Sequence, residues 1–196
     1  MAGRTKERIL EAALKLFSEK GYEGTNLQEI ADTVGIVKSA IYRHFNSKEE
    51  LWNGILDKMC SYYENGFGSA DKLPAIPESV DEFKKLVLQM LNFTINDEKI
   101  IMTRKLLAKE QFRDERARAL ATEHFNVGLE RMFAGIFNAM MENGTIKKDD
   151  PQMLAFTFTA PISSQVLLCD REPEKKQKAF EKINSYIEYF TERFLK

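Results

Sequence analysis

The chain has 196 residues, 43% of them hydrophobic, with 29 Lys and Arg against 30 Asp and Glu for a net charge of −1. That length and apolar content can bury one or two compact cores, which excludes a disordered chain, and the charge balance excludes a body coated throughout for nucleic acid. Two cysteines, Cys60 and Cys169, with no C-x-x-C and only two histidines exclude a disulfide framework and a zinc site, so no metal or cofactor is expected and a reducing cytosol is the expected compartment.

From Met1 to Arg8 no apolar signal core is visible, and the chain runs directly into a helical pattern. Ile9, Ala12, Ala13, Leu16 and Phe17 recur at i, i+3, i+4, i+7 and i+8, which predicts an amphipathic helix over 5–20, closed by Gly21. Thr25 or Asn26 then caps a second helix with Leu27, Ile30, Ala31 and Val34 on one face. Gly35 ends it, and Ile36 plugs the angle before a third helix from Lys38 turns Ile41 and Phe45 inward. Lys38, Ser39, Tyr42 and Arg43 share the opposite face: two cations, a hydroxyl and an aromatic with a polar tip, suited to phosphates and base edges in a major groove. Residues 1–48 hold eight Lys and Arg against six Asp and Glu, and no acid falls between Asp32 and Glu49. A helix-turn-helix that reads DNA follows. Ser47 caps a fourth helix with Glu49 and Glu50 in its first turn.

These residues resemble the TetR family of bacterial transcriptional regulators. The resemblance is carried by Phe17, Gly21, Thr25, Ile30-Ala31, Gly35-Ile36, Tyr42 to Phe45 and Ser47-Lys48-Glu49-Glu50-Leu51, and covers about the first quarter of the chain. One position departs: the residue before Lys38 is often a serine in such sequences, able to cap the reading helix and touch phosphate, and here it is Val37. Operator affinity then rests more on Lys38, Ser39 and Lys48. In this reading Lys38 and Arg43 meet base edges or phosphate, Ser39, Ala40 and Tyr42 pack on bases and backbone, and Thr25, His44 and Lys48 meet phosphates.

The fourth helix carries Trp52, Ile55, Leu56, Met59, Cys60 and Tyr63 on one side and is predicted to run to about Asn65 as a transmission helix. Gly66 to Ser69, Pro74 and Pro77 predict a break and a loop up to Glu78. Further helices follow from Ser79, with Phe83, Leu86, Val87, Met90 and Leu91 inward, over 98–111, and from near Asp114 through Phe125, Leu129, Met132, Phe133, Ile136, Phe137 and Met140 to a stop at Asn143-Gly144. No segment alternates as a strand. The predicted fold is all-α: a three-helix DNA-binding domain with a helix-turn-helix over 1–46, and a helical bundle for ligand binding and dimerisation over 47–196.

Each Met or Phe of that bundle reads singly as core packing; collectively such flexible and aromatic side chains can line an apolar cavity, which the resemblance implies for a small hydrophobic or aromatic effector. The candidate lining is Met59, Tyr63, Val87, Met90, Thr94, Met102, Phe125 and Phe133, with Gln111 and His124 as further polar anchors. From Gln152 to Cys169 eighteen residues carry no charge, yet Pro161 and six polar side chains make membrane insertion poor. Such a helix needs cover on several sides. Phe180, Ile183, Ile187, Phe190 and Phe194 add a heptad-like stripe, so Phe156, Ile162, Val166, Phe180, Ile183, Ile187 and Phe190 are expected at a two-fold dimer interface. No Gly-x-Ser-x-Gly, His-Glu-x-x-His, phosphate loop or Cys-His pairing supports an enzyme. An architectural DNA binder would have an electropositive body, whereas residues 49–196 hold 21 cations against 24 acids. The expectation is a homodimeric regulator, a repressor by family habit, released by its effector from a pseudo-palindromic duplex operator.

Overall fold

Amphipathic spacing becomes helix from the first residues onward. A computed structural model describes residues 2–67 and 75–195, in which α1 (Ala2–Lys20), α2 (Leu27–Val34), α3 (Lys38–Ile41), α4 (Lys48–Phe67), α5 (Val80–Asn96), α6 (Glu98–Glu110), α7 (Glu115–Thr122), α8 (Gly128–Glu142), α9 (Pro151–Arg171) and α10 (Lys176–Phe194) follow one another. Among the described residues there is no strand. Gly68, Ser69 and Pro74 of the predicted loop lie outside the described residues.

Two elements differ from expectation. α4 continues through Gly66 to Phe67 where a break was expected at Asn65; an interior glycine costs a helix only about 1 kcal/mol, which its neighbours can carry. The single helix expected from Asp114 is interrupted by a π-helical turn, Glu123–Val127, in which the Gly128 N–H reaches back to the Glu123 carbonyl. A Cβ on Gly128 would lie 2.3 Å from that oxygen, so the wide turn needs glycine at its exit. Arg131 pairs with Glu123 across it at 3.1 Å.

The chain forms two compact units, Met1–Tyr62 with Met102–Ala121, and Tyr63–Ile101 with Thr122–Lys196. These limits differ from a division at 46/47: α4 leaves the first unit at Tyr62, and α6 and α7 bring residues from 102 onward back into it. In the first unit Ile9, Ala13 and Phe17 of α1, Ile30 and Ala31 of α2, and Leu51, Ile55 and Leu56 of α4 are fully or nearly fully buried. Phe17, Tyr22 and Trp52 close a ring triangle with centroids 5.3–5.8 Å apart. Late in α6, the buried Glu110 carboxylate accepts the Tyr22 N–H at 2.9 Å and Lys109 donates to the Glu19 carbonyl at 2.6 Å, so two successive residues pin the end of α1 and the turn after it.

The second unit is built around five phenylalanines, Phe83, Phe133, Phe137, Phe158 and Phe190, whose ring centroids lie 4.8–6.3 Å from their neighbours. They come from α5, α8, α9 and α10, and removing any one of them would cost about 3–5 kcal/mol. α9 is long and apolar enough to cross a membrane by composition, but Leu154, Ala155, Phe158 and Val166 on one side of it belong to this core.

Candidate nucleic-acid interface

Local chemistry builds the helix-turn-helix. The Asn26 side chain accepts from the N–H groups of Gln28 and Glu29 at 2.9 and 3.0 Å, and the Glu29 carboxylate returns to the Asn26 N–H at 3.1 Å, a complete capping box at the start of α2. Lys20 pairs with the same carboxylate at 2.6 Å, and this hydrogen bond lowers its pKa. At the other end Gly35 takes φ 73°, open to glycine at no steric cost, and sends its N–H to Asp32 while the Ile36 N–H reaches Ala31 at 3.0 Å. That Schellman geometry sets the angle into α3, with Ile36 half-buried at the corner as expected. Arg8 takes the Val34 carbonyl at 2.6 Å and ties α1 to the same corner.

α3 itself is a single turn. Val37 stands extended before it with no side-chain cap, and the helical path continues beyond Ile41 through the N–H groups of Arg43, His44 and Phe45, bonded to Ala40 and Ile41. A four-residue helix cannot form alone. Ile41 and Phe45, at 0% and 2% exposure, anchor it in the core of the first unit. Lys38, Ser39, Tyr42 and Arg43 are all exposed, and Ala40 and His44 half-buried beside them. Neither Lys38 nor Arg43 has an acidic partner among the described residues, so both charges are open to a polyanion.

Three placements bear on the expected contact set. Thr25 is 1% exposed and its hydroxyl donates to the Gly21 carbonyl at 3.0 Å, so its side chain shapes the turn before α2. Lys48 lies over the Tyr22 ring, its Nζ 4.1 Å from the centroid, which orients the ammonium at the start of α4. Burial, with Glu49 adding, pushes the Tyr22 phenol up, so that ring stays neutral under the cation. Val37 is 68% exposed next to Lys38; an apolar residue outside the helical period was the signal that it serves neither core nor cap.

Residues 9–55 match the model of a family described as bacterial regulatory proteins, tetR family. Over these residues the chain is similar to the TetR family. It is 40% identical over 58 residues to IcaR of Staphylococcus epidermidis, the HTH-type negative transcriptional regulator of the biofilm operon icaADBC, a stretch covering 30% of this chain and 31% of that protein. With the HTH-type transcriptional regulator AcrR of Shigella flexneri it shares 33% identity over 103 residues, 50% of this chain and 45% of that one. The chain thus spans between about a third and a half of the curated relatives it matches. A TetR transcriptional regulator from Chloroflexus aurantiacus J-10-FL has the same fold, with a TM-score of 0.75 over 99% of this chain and 97% of that one at 22% identity.

Beyond the matched residues the expected sites fall in both units. Of the candidate effector lining, Met59 and Met102 belong to the first unit and Tyr63, Val87, Met90, Thr94, Phe125 and Phe133 to the second. Val87 and Phe133 pack in the phenylalanine core, with Met90 on its edge. Tyr63, His124 and Phe125 do come together: Tyr63 stacks on His124 at 4.6 Å and 20°, and meets Phe125 edge-on at 6.3 Å. Gln111 sits in the other unit, at the end of α6. An open groove of about 510 Å³ between α5 and α10 shares no residue with that lining.

Most of the expected dimer stripe is covered within its own chain. Val166, Ile183, Ile187 and Phe190 are buried in the second unit's own core and offer no free surface, while Ile162 and Phe180 pack against it and stay partly exposed. A stripe repeating every three to four residues looks the same whether its own bundle or a partner covers it. Only Phe156 of that set is well exposed, at 54%, and it lies with Met153, Ala160 and Leu167 along the uncovered side of α9.

Proposed function

We propose that this chain is a homodimeric, ligand-responsive, sequence-specific DNA-binding regulator, acting as a repressor released from a pseudo-palindromic operator by a small hydrophobic or aromatic effector. One observation carries the reading: Lys38 and Arg43 stand exposed and without acidic partners on a turn whose other side is locked by Ile41 and Phe45. Cations held at a fixed register, with Ser39 and Tyr42 between and beside them, suit phosphates and base edges of a major groove. His44 and Lys48 extend the phosphate contacts. The protein works in the cytoplasm with duplex DNA, without a cofactor or membrane.

The exposed α9 face of Met153, Phe156, Ala160 and Leu167 supports pairing of two copies, because an apolar strip of this length on a charged surface marks an interface. Two reading heads about 34–36 Å apart would then address half-sites one DNA turn apart. α4 and α6 each run without interruption from one compact unit into the other, so an effector in the second unit acts on the first through continuous helix. Coupling of this kind is typically about 1–3 kcal/mol, or roughly 5–150-fold in DNA affinity.

The test is selection of bound duplexes from a random pool, with the Tyr42→Ala/Arg43→Ala variant alongside. A two-fold-symmetric site that only the parent chain enriches is the expected result. Equal enrichment by the variant would remove this surface from DNA recognition, and no enrichment by the parent, repeated after refolding from denaturant to strip a carried-over effector, would end the DNA-reading proposal.

A further inference from the structure

Cations near the reading turn divide by what holds them. Lys20 pairs with Glu29, Arg8 is bonded to the Val34 carbonyl, and Lys58 pairs with Glu7. Arg4 and Lys6 are exposed and form no ion pair among the described residues. Their position is particular: Lys6 Nζ lies 5.2 Å from the centroid of Phe45, the residue that closes the reading turn, and Arg4 stands one helical turn beyond Arg8 in the row that touches the α2–α3 corner. The beginning of α1 therefore adjoins the end of α2 and the residue that closes the turn after α3.

The neighbouring acids are occupied. Glu7, the one acid among the first ten residues, is held by Lys58, whose ammonium is also 4.0 Å from Glu11. That pairing leaves the charges of Arg4 and Lys6 uncompensated on the flank of Lys38 and Arg43.

We infer that Arg4 and Lys6 form a second phosphate-binding element, gripping the DNA backbone beside the base pairs that α3 addresses. This rests on the DNA-reading function proposed above. Long side chains with no fixed hydrogen bonds suit phosphates better than base edges, since a base needs a held geometry and a phosphate needs only charge within reach. Such contacts add affinity without sequence preference. Each releases condensed counterions and steepens the dependence of log K on log salt by about 0.9.

The experiment titrates the full-length parent and the Arg4→Gln/Lys6→Gln variant against the selected operator duplex and a scrambled duplex, between about 50 and 200 mM KCl. With four contacts per dimer the variant's slope is shallower by about 3.6, so its disadvantage shrinks by about 150-fold across that range, while its preference for operator over scrambled duplex is unchanged. Lys15→Gln, an exposed cation farther along the same row of α1, keeps the parental slope. An unchanged slope in the double variant overturns the inference while operator binding by the parent leaves the DNA-reading function standing. So does an equal loss from Lys15→Gln, which would mean a general effect of charge, or an altered sequence preference, which would mean base reading. A parent that binds no duplex ends both.

Discussion

The Tyr186 hydroxyl makes the hydrogen bond that Pro161 denies to α9. Pro161 has no N–H, so the Thr157 carbonyl four residues back has no donor within its own helix, and Tyr186 of α10 donates to it. Burial pushes the Tyr186 phenol above its ordinary value, with Tyr189 adding, so the donor proton stays in place. Tyr186→Phe should cost about 1–3 kcal/mol by leaving a carbonyl unpaired. In a Pro161→Ala background, where the new N–H can serve Thr157, the same change should cost clearly less. Denaturant midpoints of the four proteins give the coupling; equal losses in both backgrounds would mean that the hydroxyl contributes in some way other than replacing the N–H that Pro161 lacks.

His124 gives a pH dependence of known sign. Burial lowers its pKa below 6.5, against the opposing pull of Glu123 and Glu64, so the folded chain takes up this proton less readily than the unfolded chain. Its neutral form fits the stack on Tyr63. Stability is therefore full above the unfolded value and falls as pH drops below it. His124→Phe keeps a ring for the stack and removes the titration, so it should lose less stability than the parent between about pH 7.5 and about pH 5.5 in urea unfolding. Parallel losses would show that His124 titrates alike folded and unfolded.

Gly128→Ala tests the π turn. In an ordinary helix this exchange stabilises by about 1 kcal/mol, but here the added Cβ would meet the Glu123 carbonyl at 2.3 Å and its carboxylate at 2.6 Å. The expected outcome is a loss of about 1–3 kcal/mol, read as a fall in melting temperature of about 2–4 °C per kcal/mol. A higher melting temperature would mean that the turn closes readily into plain α-helix.

Phe156 and Ile187 separate the two sides of the apolar C-terminal helices. Phe156→Glu, at a 54% exposed position, should yield a folded monomer by sedimentation with an unaltered helical spectrum. Ile187→Glu places a charge where exposure is 1% and should unfold the second unit, since an unpaired buried carboxylate costs several kcal/mol. A dimer that survives Phe156→Glu would remove this side of α9 from the interface.

These differences mark where sequence reasoning reaches. The reading head was legible because its determinants are close together: Asn26 and Glu29 are three residues apart, Gly35 acts on its neighbours, and Ile41 and Phe45 are one turn apart on a single helical face. Glu110 and the Tyr22 N–H are 88 positions apart, and no local pattern announces that contact or the return of α6 to the first unit. Thr25 was legible as a candidate cap and phosphate contact but not as a buried residue, because a hydroxyl suits a phosphate and a carbonyl equally. Ile183 and Ile187 were legible as a stripe, yet periodicity names no partner. The π turn was hidden because Gly128 reads as an ordinary glycine until the Glu123 carbonyl is seen behind it.

The shortness of α3 has an evolutionary consequence. Its outward side chains make no hydrogen bond that the fold needs, while Ile41 and Phe45 alone fasten the turn. Descendants of this gene can therefore exchange residues 37–39, 42 and 43 at little cost in folding, and a duplicated copy can remodel this surface without first acquiring compensating changes elsewhere.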